Sequence, residues 1–326
     1  MPSVFVYEWC TALGIGRAVD DPAHSLYREG LAMRDAVVED FTSAGYEVRT
    51  LEFDVSIRKR QTIRERDSFR AIVKEVDGVL VIAPELGGEL SRRCDWVEKF
   101  GGRLLGPDVD SVQTCSNKID LAKHWVSHGV RTPRTNSFLD WLREPSVFPA
   151  ICKPVDGAGS MGIRRVENMD EVHNIWRAGG YDDFTPSDLV LQDYVPGFAA
   201  SVAFLVGSTQ SVPLLPASQI LSEDGRFHYL GGEMPLEPAL AARTIAIASQ
   251  AIACVLGLRG YVGVDVILGN ATDSSQDYAI EINPRLTTSY LGLRAICEDN
   301  LAHLMYLAAS GEPIPKPRWK PGRVRF

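Results

Sequence analysis

The sequence predicts an α/β fold made of several lobes, and three observations lead to this prediction. Over the first 112 residues, short apolar strands alternate with stretches of helical spacing. Two further strands flank a glycine-rich turn within residues 150–166. In the last third of the chain, two long strands carry acidic residues within apolar runs. Because strands that alternate with helices favour a parallel sheet covered by helices, residues 1–112 are predicted to form an open α/β domain.

Hydrophobic periodicity locates the elements of this first domain. Residues 4–7 and the unbroken apolar run VLVIA at 79–83 are typical of buried parallel strands. Helical spacing over residues 26–44 ends at Gly45, and residues 47–50 are predicted to form a third strand.

The remaining sequence predicts two more lobes, residues 113–197 and 198–312, and a basic Pro-rich tail at 313–326. Ser116 or Asn117 can cap a helix that ends near Gly129. The tail is expected to be a solvated extension lying against the acidic body of the protein. Residues 227–235 are expected to form either a loop over a substrate or a plain hairpin. The other predicted strands are 150–153, 163–166, 189–195, 201–206, 212–215, 261–268 and 278–282, and the other predicted helices are 169–178, 240–256 and 301–309.

Composition and charge exclude several classes of protein. The 326 residues include 34 Lys+Arg and 42 Asp+Glu, a formal net charge of −8, so nucleic acid is not an expected partner. The absence of an 18-residue apolar run and of a basic leader predicts neither a membrane segment nor a secretion signal. The six cysteines form no CxxC pair, which favours free thiols in a reducing cytoplasm over disulfides.

The run KPVDGAGSMGI at residues 153–163 is the strongest single motif. Lys153 ends a strand, and three glycines after it leave main-chain N–H groups free to approach an anion. The run is not a Walker A loop, since no GK[ST] follows the first glycine. It predicts either a phosphate-binding turn or a glycine-rich hairpin with a surface lysine. The residues of the turn that could contact phosphate are Gly157, Gly159, Ser160 and Gly162.

Acidic and amide side chains lie on two neighbouring strands. Asp265 lies in YVGVDVIL, and period-2 alternation puts Glu281, Asn283 and Arg285 of EINPR on one face of the next strand. Two carboxylates and an amide oxygen form an all-oxygen site suited to Mg²⁺. A carboxylate within an apolar strand otherwise needs a cationic partner, so an ion pair between Asp265 and an arginine such as Arg285 is the alternative.

In this order, SNK at 116–118, KPxxGAGSxG, QDYVPG at 192–197, GVDV and EINPR resemble the ATP-grasp superfamily of carboxylate–amine ligases. Residues 1–112 are similar to the N-terminal α/β domain that precedes the ATP-grasp lobes. Within the superfamily, EINPRLTTSYLGL and the opening VYEW are similar to the branch that contains tyramine–L-glutamate ligases of methanofuran and methylofuran synthesis. The resemblance implies an ATP-grasp fold that binds ATP between a small lobe at 113–197 and a metal-binding lobe at 198–312.

The resemblance also implies roles for particular residues. Lys118 and Lys153 would contact the ATP phosphates, with the glycine-rich turn closing over them. Arg285 would face the acyl-phosphate or the attacking amine. Relatives carry a ribose-binding Glu where this chain has Ala199 or Ala200, so either Asp193 would substitute for it or the ribose would be held loosely. The residues expected at the adenine are Gln192, Tyr194 and Val195, and those expected to hold one or two Mg²⁺ ions, or Mn²⁺, are Asp265, Glu281 and Asn283.

Further residues are expected to form the substrate site. Arg285, together with Arg294, would neutralise the acid, and Thr287, Thr288, Ser289 and Tyr290 would shape the pocket. Glu8 and Glu85 follow strands of the first domain, where open α/β sheets place ligand contacts, so they are expected either to contact substrate or to cap helices.

The function implied is an ATP- and Mg²⁺-dependent ligase that activates a carboxylate, such as that of glutamate, as an acyl-phosphate and joins it to an amine such as tyramine. Its partners would be these small molecules in the cytoplasm, and a homodimer is left open. Gly263 stands where D-alanine–D-alanine ligases carry an arginine, which argues against that branch. The alternatives are an ATP-grasp amino-acid or dipeptide ligase of another pathway, which is again an enzyme, and a non-catalytic nucleotide-binding regulator.

Two other polar runs are predicted to have no catalytic role. HWVSH places His124 and His128 one helical turn apart, and without the Glu of HExxH we expect surface histidines rather than a zinc site. Residues 91–93, Ser-Arg-Arg, are expected to form a solvated turn.

Overall fold

The computed structural model describes residues 1–21, 23–53, 61–144, 147–157 and 159–326, without the side chains of residues 61–64. Ala158, within the predicted phosphate-binding turn, lies outside the described residues. In the described part of the chain, helices pack against sheets of three, four and seven strands. The predicted α/β class is therefore confirmed, whereas the division of the chain at residues 112, 197 and 312 stays a prediction.

The first sheet has three parallel strands in the order β2-β1-β3. Its elements are β1 (Ser3–Glu8), α1 (Trp9–Leu13), α2 (His24–Ser43), β2 (Glu47–Thr50), α3 (Gln61–Val73), β3 (Gly78–Ile82) and α4 (Glu89–Lys99). Val4 and Val6 pack towards α2, while Phe5 and Tyr7 pack towards α3 and α4, so β1 is apolar on both faces. Because the strands are parallel, β1 and β3 end at the same edge of the sheet.

Residues 91–93 lie within α4, so the expected solvated turn is wrong. Arg93 is 2% exposed, and its guanidinium donates to both carboxylate oxygens of Glu65, at 2.9 and 3.1 Å. The guanidinium also lies 5.0 Å from the Trp96 ring. A buried arginine is stable here because a buried carboxylate 28 residues away in the chain neutralises it.

The second sheet has four antiparallel strands in the order β4-β7-β5-β6. Its apolar face is covered by two short helices, of which the first buries Phe138 and Trp141 and the second buries Val172 and Ile175. Asn117 caps the helix that begins at Lys118, and its side chain accepts hydrogen bonds from two main-chain N–H groups. The elements are α5 (Val109–Ser116), α6 (Lys118–Ser127), β4 (Thr135–Ser137), α7 (Phe138–Arg143), β5 (Ala150–Pro154), β6 (Arg164–Val166), α8 (Met169–Arg177) and β7 (Leu189–Asp193).

The third sheet has the strand order β13-β12-β8-β10-β11-β14, with β9 paired to β8. Its elements are β8 (Phe198–Val206), β9 (Ser211–Pro213), β10 (Ala217–Leu221), β11 (Tyr229–Met234), α9 (Pro238–Ala253), β12 (Gly260–Leu268), β13 (Asp277–Asn283), α10 (Ser289–Ile296), α11 (Leu301–Ser310) and β14 (Val324–Arg325). Val262, Val264 and Val266 pack against α9, which leaves Asp265 on the opposite face. Residues of α2, β8, α10 and α11 share one core, so the first and third sheets are packed together.

The C-terminal tail is part of the fold, so the expected solvated extension is wrong. Strand β14 pairs with β11, and Ile314 is 6% exposed. The Phe326 ring occupies space beside Gly232 and Gly292, where a Cβ would lie 2.6 and 2.4 Å from ring atoms. Pairing of an edge strand and filling of the gap left by two glycines hold the tail on the third sheet.

No helix among the described residues combines the length and apolar character needed to cross a membrane.

Candidate active site

A cavity of about 250 Å³ lies between elements of all three sheets. The first sheet contributes the ends of β1 and β3 and one stripe of α2, the second contributes Lys153 and the glycine-rich turn, and the third contributes the face that carries Asp265. Parallel strands of open α/β sheets offer ligand contacts at their carboxyl ends, as β1 and β3 do here. The cavity is therefore the candidate active site.

Two carboxylates face each other on the floor of the cavity. Asp265 of β12 is directly opposite Glu281 of β13, and a β-bulge follows this pair. Asp265 accepts hydrogen bonds from Asn283 Nδ2 at 3.0 Å and Gln219 Nε2 at 2.9 Å. Burial, followed by the negative charge of Glu281, raises the pKa of Asp265 to about 7. Two adjacent carboxylates and an amide oxygen are well suited to bind a divalent cation.

Lys118 lies beside this pair. It is the first residue of α6, and its Nζ lies 3.6 Å from Glu281 Oε2. The Asn117 cap fixes the start of the helix, and the Lys118 main-chain N–H donates to Val155 O at 3.0 Å. The start of the helix therefore holds the Lys118 ammonium group next to the carboxylates and next to the glycine-rich turn.

Arg285 pairs with Glu85, so the alternative of an Asp265–Arg285 ion pair is wrong. Arg285 Nε and Nη2 donate to the two Glu85 oxygens at 2.9 and 3.0 Å. Glu85 is 3% exposed and the Arg285 side chain 12% exposed. The Glu85 side chain does not cap a helix. It orients the Arg285 guanidinium, although the two residues are 200 positions apart in the chain.

Lys153 is buried at the end of β5. Its Nζ donates to Gln192 Oε1 at 2.9 Å, and Gln192 Nε2 donates to Thr135 Oγ1 at 2.8 Å. Burial, together with the charge of Lys118, lowers the pKa of Lys153 to about 8. An anion bound next to Lys153 would stabilise the protonated lysine.

The glycine-rich turn exposes its main chain. Gly157, Gly159 and Gly162 all have positive φ, and Ser160 adopts φ 59°. A Cβ at Gly157 or Gly159 would meet no atom within 4 Å among the described residues, so the space beside these two residues is open. Tyr181 donates to Gly162 O at 2.5 Å, and Gly87 N donates to Asp156 Oδ2 at 2.9 Å, which ties the turn to the connection between α8 and β7 and to the loop that follows β3.

The predicted adenine residues lie at the end of β7 and do not line this cavity. Asp193 keeps a buried carboxylate oxygen that has no hydrogen-bond partner within the described residues. The Tyr194 ring stacks on Phe227 at 6.2 Å, with the Arg165 guanidinium 4.6 Å from the Tyr194 centroid. Val195 is half-buried next to them. The buried, unpaired Asp193 oxygen can accept a hydrogen bond from a ligand hydroxyl or amino group.

An acidic recess opens from the cavity towards the first sheet. Glu8 is 3% exposed, and its oxygens cap α1 by accepting from Cys10 N at 3.0 Å and Thr11 N at 2.7 Å. Glu29 lies on the stripe of α2 that faces the cavity and makes no hydrogen bond or ion pair with any described residue. Burial raises its pKa. The apolar residues that line the same recess are Leu26, Met33 and Ile82.

Two predicted substrate residues are placed elsewhere. Tyr290 donates to Asp40 Oδ2 at 2.5 Å, and Arg294 donates to Asp40 Oδ1 at 2.6 Å. Neither lines the cavity, so their assignment to the substrate pocket is wrong. Because α10 begins at Ser289, positions 290 and 294 lie one turn apart on the face that packs against α2.

Three predicted neighbours of these residues do line the cavity. Thr287, Thr288 and Ser289 lie along its wall, where Tyr261 OH contacts Thr287 Oγ1 at 3.0 Å and Ser289 Oγ at 2.9 Å. Gly263 also lines the cavity, and its Cβ would lie 2.8 Å from Thr287 Cγ2, so no arginine fits at this position without displacing Thr287.

Sequence reasoning missed Glu29 and Gln219, and it named Phe227 and Tyr229 only as part of an uncertain segment. Residues 227–235 contain β11 of a hairpin, and Phe227 and Tyr229 line the cavity. Glu29 carried a readable signal, because an acid at position 29 interrupts the stripe 26, 30, 33, 37 of a predicted helix. Gln219 carried none, since its contact to Asp265 spans 46 residues.

The residues present fit a nucleotide and a divalent cation. The carboxylate pair and Asn283 are hard oxygen donors, and two lysines lie between them and the open main chain of the glycine-rich turn. Such a site, shared between two sheets that face each other, defines an enzyme that holds a nucleotide between two lobes.

The family follows from comparison with known proteins. Residues 115–289 match the ATP-grasp domain and residues 33–112 match the pre ATP-grasp 3 domain, so this chain belongs to the ATP-grasp family. It is similar to tyramine–L-glutamate ligases of Methanocaldococcus fervens, at 29% identity over 74% of this chain and 69% of that protein, and Methanocaldococcus jannaschii, at 27% over 85% and 76%. A solved ATP-grasp superfamily protein from Archaeoglobus fulgidus shares the fold, with a TM-score of 0.72, 24% identity and coverage of 99% of this chain and 91% of that one.

These findings confirm the predicted ATP-grasp fold and the resemblance to the tyramine–L-glutamate ligase branch. The chain is an ATP-grasp carboxylate–amine ligase, which forms a C–N bond and releases ADP.

Proposed function

We propose that this ligase joins the carboxylate of glutamate to an amine such as tyramine, by way of an acyl-phosphate, in the biosynthesis of a cofactor. One observation supports the proposal: a single cavity joins Lys153 and the glycine-rich turn of the second sheet to a recess that is both acidic and apolar. The names of the two archaeal relatives supply the substrates as candidates. An ATP-grasp ligase for another amino acid or dipeptide is the second candidate, since Thr287–Ser289 are compatible with other small acids.

The chemistry starts from the poor reactivity of a carboxylate. A carboxylate oxygen attacks the γ-phosphorus of ATP, the bond to the β-phosphate oxygen breaks, and ADP leaves. The neutral amine attacks the acyl carbon, its nitrogen then loses a proton, and inorganic phosphate leaves with the electron pair of the C–O bond and takes up that proton. Positioning and neutralisation of charge stabilise both transition states, so no nucleophilic side chain is required.

Named side chains divide this work. Lys118, Lys153 and the main chain of the glycine-rich turn bind the phosphates. Asp265, Glu281 and Asn283 hold Mg²⁺, which neutralises the phosphate charge when bound. Arg285, held by Glu85, faces the acyl group, and Thr287, Thr288 and Ser289 contact the acid.

The segment at the end of β7, residues 192–195, holds the nucleoside. Main-chain groups of Gln192, Tyr194 and Val195 line the adenine, and the unpaired oxygen of Asp193 accepts from a ribose hydroxyl in place of the missing glutamate. Glu8 shapes the acceptor recess, but its oxygens already cap α1.

Nucleotide binding is expected to weaken above about pH 8. In the free protein Lys153 has a lowered pKa of about 8, so it loses its proton as the pH rises through that value. Bound phosphate stabilises the protonated form, so binding at pH 9 takes up a proton and affinity falls by at most about tenfold per pH unit. Calorimetry in buffers of different ionisation enthalpy measures this uptake at pH 7 and pH 9.

Lys153→Met should remove the proton uptake, and the exposed control Lys74→Met should retain it. Binding at pH 9 without proton uptake in the unmodified protein would contradict the placement of Lys153 on the phosphates.

Glu29→Gln is expected to raise the KM for the amine by about 10–100-fold, because a hydrogen bond to a charged group contributes about 1.5–3 kcal/mol. Glu29 makes no hydrogen bond or ion pair with the described residues and feels only the more distant charge of Arg285, so an ammonium group in the recess would supply its direct partner. The KM values for ATP and for the acid should stay within twofold of the unmodified enzyme.

The matched control for this variant is Glu98→Gln, which removes an exposed carboxylate on α4. Equal KM values for the amine in Glu29→Gln and in the unmodified enzyme would exclude Glu29 from the acceptor site.

The proposed function is tested by following ADP release with ATP, Mg²⁺ and a panel of acids and amines. We expect release that requires both substrates and is fastest with glutamate and tyramine. Turnover with a different acid or amine would favour the second candidate. If ATP binds but ADP release does not depend on the acid and the amine, the result would favour the non-catalytic regulator and contradict the proposal.

A further inference from the structure

A cluster of potential metal ligands lies outside the active site. His124 lies on α6, His128 follows the last residue of that helix, and Cys254 follows the last residue of α9. One ligand atom from each of the three side chains lies within 4.8 Å of the others. The sequence alone gave only the histidine pair, because the cysteine is 130 residues away from His124. The third ligand changes the expectation of two surface histidines.

Both imidazole rings are held by main-chain carbonyls. His124 Nε2 bonds to Cys254 O at 2.8 Å, and His128 Nδ1 bonds to His124 O at 2.8 Å. Metal-bound histidines commonly donate their second ring N–H to a main-chain carbonyl in this way, which fixes the tautomer. The ring centroids are 4.3 Å apart with an angle of 33° between the ring planes, so the two imidazoles lie side by side.

The two helices are fixed to each other next to the cluster. Trp125 is fully buried and donates from Nε1 to Ala251 O at 3.0 Å. Cys254 is half-buried and reduced, with Sγ donating to Ala251 O at 3.3 Å. A cation bound here would need little rearrangement of the helices, and His128 at the surface leaves an access path from solvent.

We propose that His124, His128 and Cys254 bind a thiophilic divalent cation, Zn²⁺ being the expected occupant, with water completing the coordination. Two imidazole nitrogens and a thiolate are ligands that Zn²⁺ prefers over the oxygen ligands that select Mg²⁺. The cation links the end of α6 to the end of α9. Since α6 starts at Lys118, this link also steadies the helix that brings this lysine to the active site.

Titration of the EDTA-treated full chain with Co²⁺, in excess Mg²⁺ to occupy the all-oxygen site, tests the proposal. We expect one Co²⁺ per chain with a thiolate-to-cobalt charge-transfer band and the visible bands of a four-coordinate ion. Zn²⁺ should displace the Co²⁺, since it binds such ligands more tightly. Saturating Zn²⁺ should also raise the Tm, by about 4 °C at a hundredfold excess over Kd.

Substitutions identify the ligands. Cys254→Ser should remove the charge-transfer band. His124→Asn and His128→Asn should each weaken Co²⁺ binding by at least about tenfold, because even the loss of a residue that only hydrogen-bonds to a metal ligand lowers metal affinity by about that much. The control His173→Asn, on α8, should leave the spectrum unchanged. A Co²⁺ spectrum of the unmodified chain without a thiolate band, or a band that persists in Cys254→Ser, would overturn the proposal whatever the folding of the histidine variants.

Discussion

Glu281→Gln is expected to lower kcat by about a thousandfold, since a catalytic metal contributes several kcal/mol of transition-state stabilisation. Glu281 lies opposite Asp265 and 3.6 Å from Lys118, so the carboxylate lies between the proposed metal position and a lysine proposed to bind phosphate. Glutamine keeps the size of the side chain and removes its charge. The remaining carboxylate binds Mg²⁺ weakly, and the reacting phosphate loses its neutralising partner.

The fold should survive this substitution. The negative charge of Glu281 raises the pKa of buried Asp265, which means that the two carboxylates repel each other in the metal-free protein. Removal of one charge relieves that repulsion and also removes the 3.6 Å contact with Lys118, so the two effects oppose each other and the Tm should change little. The measurement is kcat as a function of Mg²⁺ concentration, together with the Tm, for the variant and for the exposed control Glu233→Gln. Activity within tenfold of the unmodified enzyme would contradict the metal assignment.

Arg285→Met is expected to reduce both stability and activity. Loss of the guanidinium leaves Glu85 buried at 3% exposure without its partner, which costs about 3–5 kcal/mol of unfolding free energy. The same substitution removes the cation that faces the acyl group, with an expected fall in kcat of about 100- to 1000-fold. Urea unfolding and steady-state kinetics measure the two effects separately.

A double variant separates the structural role of Arg285 from its catalytic role. Glu85→Gln combined with Arg285→Met removes the buried charge, so a large part of the lost stability should return. The turnover should not return, because the arginine itself is still absent. If the double variant regains both stability and full kcat, Arg285 only joins the lobes, and its assigned contact with the acyl group is wrong.

Much of the proposed metal-binding face could be predicted from the sequence. Strand periodicity alone puts Glu281 and Asn283 on one face, and an acid in the apolar run YVGVDVIL marks the facing strand. The structure pairs Asp265 with Glu281 as that reasoning requires. The pattern works here because the two strands are neighbours in sequence and in the sheet.

Contacts between distant segments could not be predicted in the same way. The Glu85–Arg285 pair spans 200 residues, and the Glu65–Arg93 pair joins two helices that no local pattern connects. Arg294 was misassigned because LTTSYLGLR contains no turn signal, and only the folded chain shows that a helix begins at Ser289. The tail was misassigned because its many prolines and charges are typical of a solvated segment. Its last residue, Phe326, packs against two glycines, Gly232 and Gly292, that are distant in the sequence.

Transfer of oxygen from the acid to phosphate tests the central claim most directly. The enzyme would be supplied with ATP, Mg²⁺, an amine and glutamate labelled with ¹⁸O in its carboxylates, and the released phosphate would be examined by ³¹P NMR. Ligation through an acyl-phosphate predicts one ¹⁸O atom in each inorganic phosphate, together with ADP. Unlabelled phosphate, or label recovered in AMP, would contradict the account.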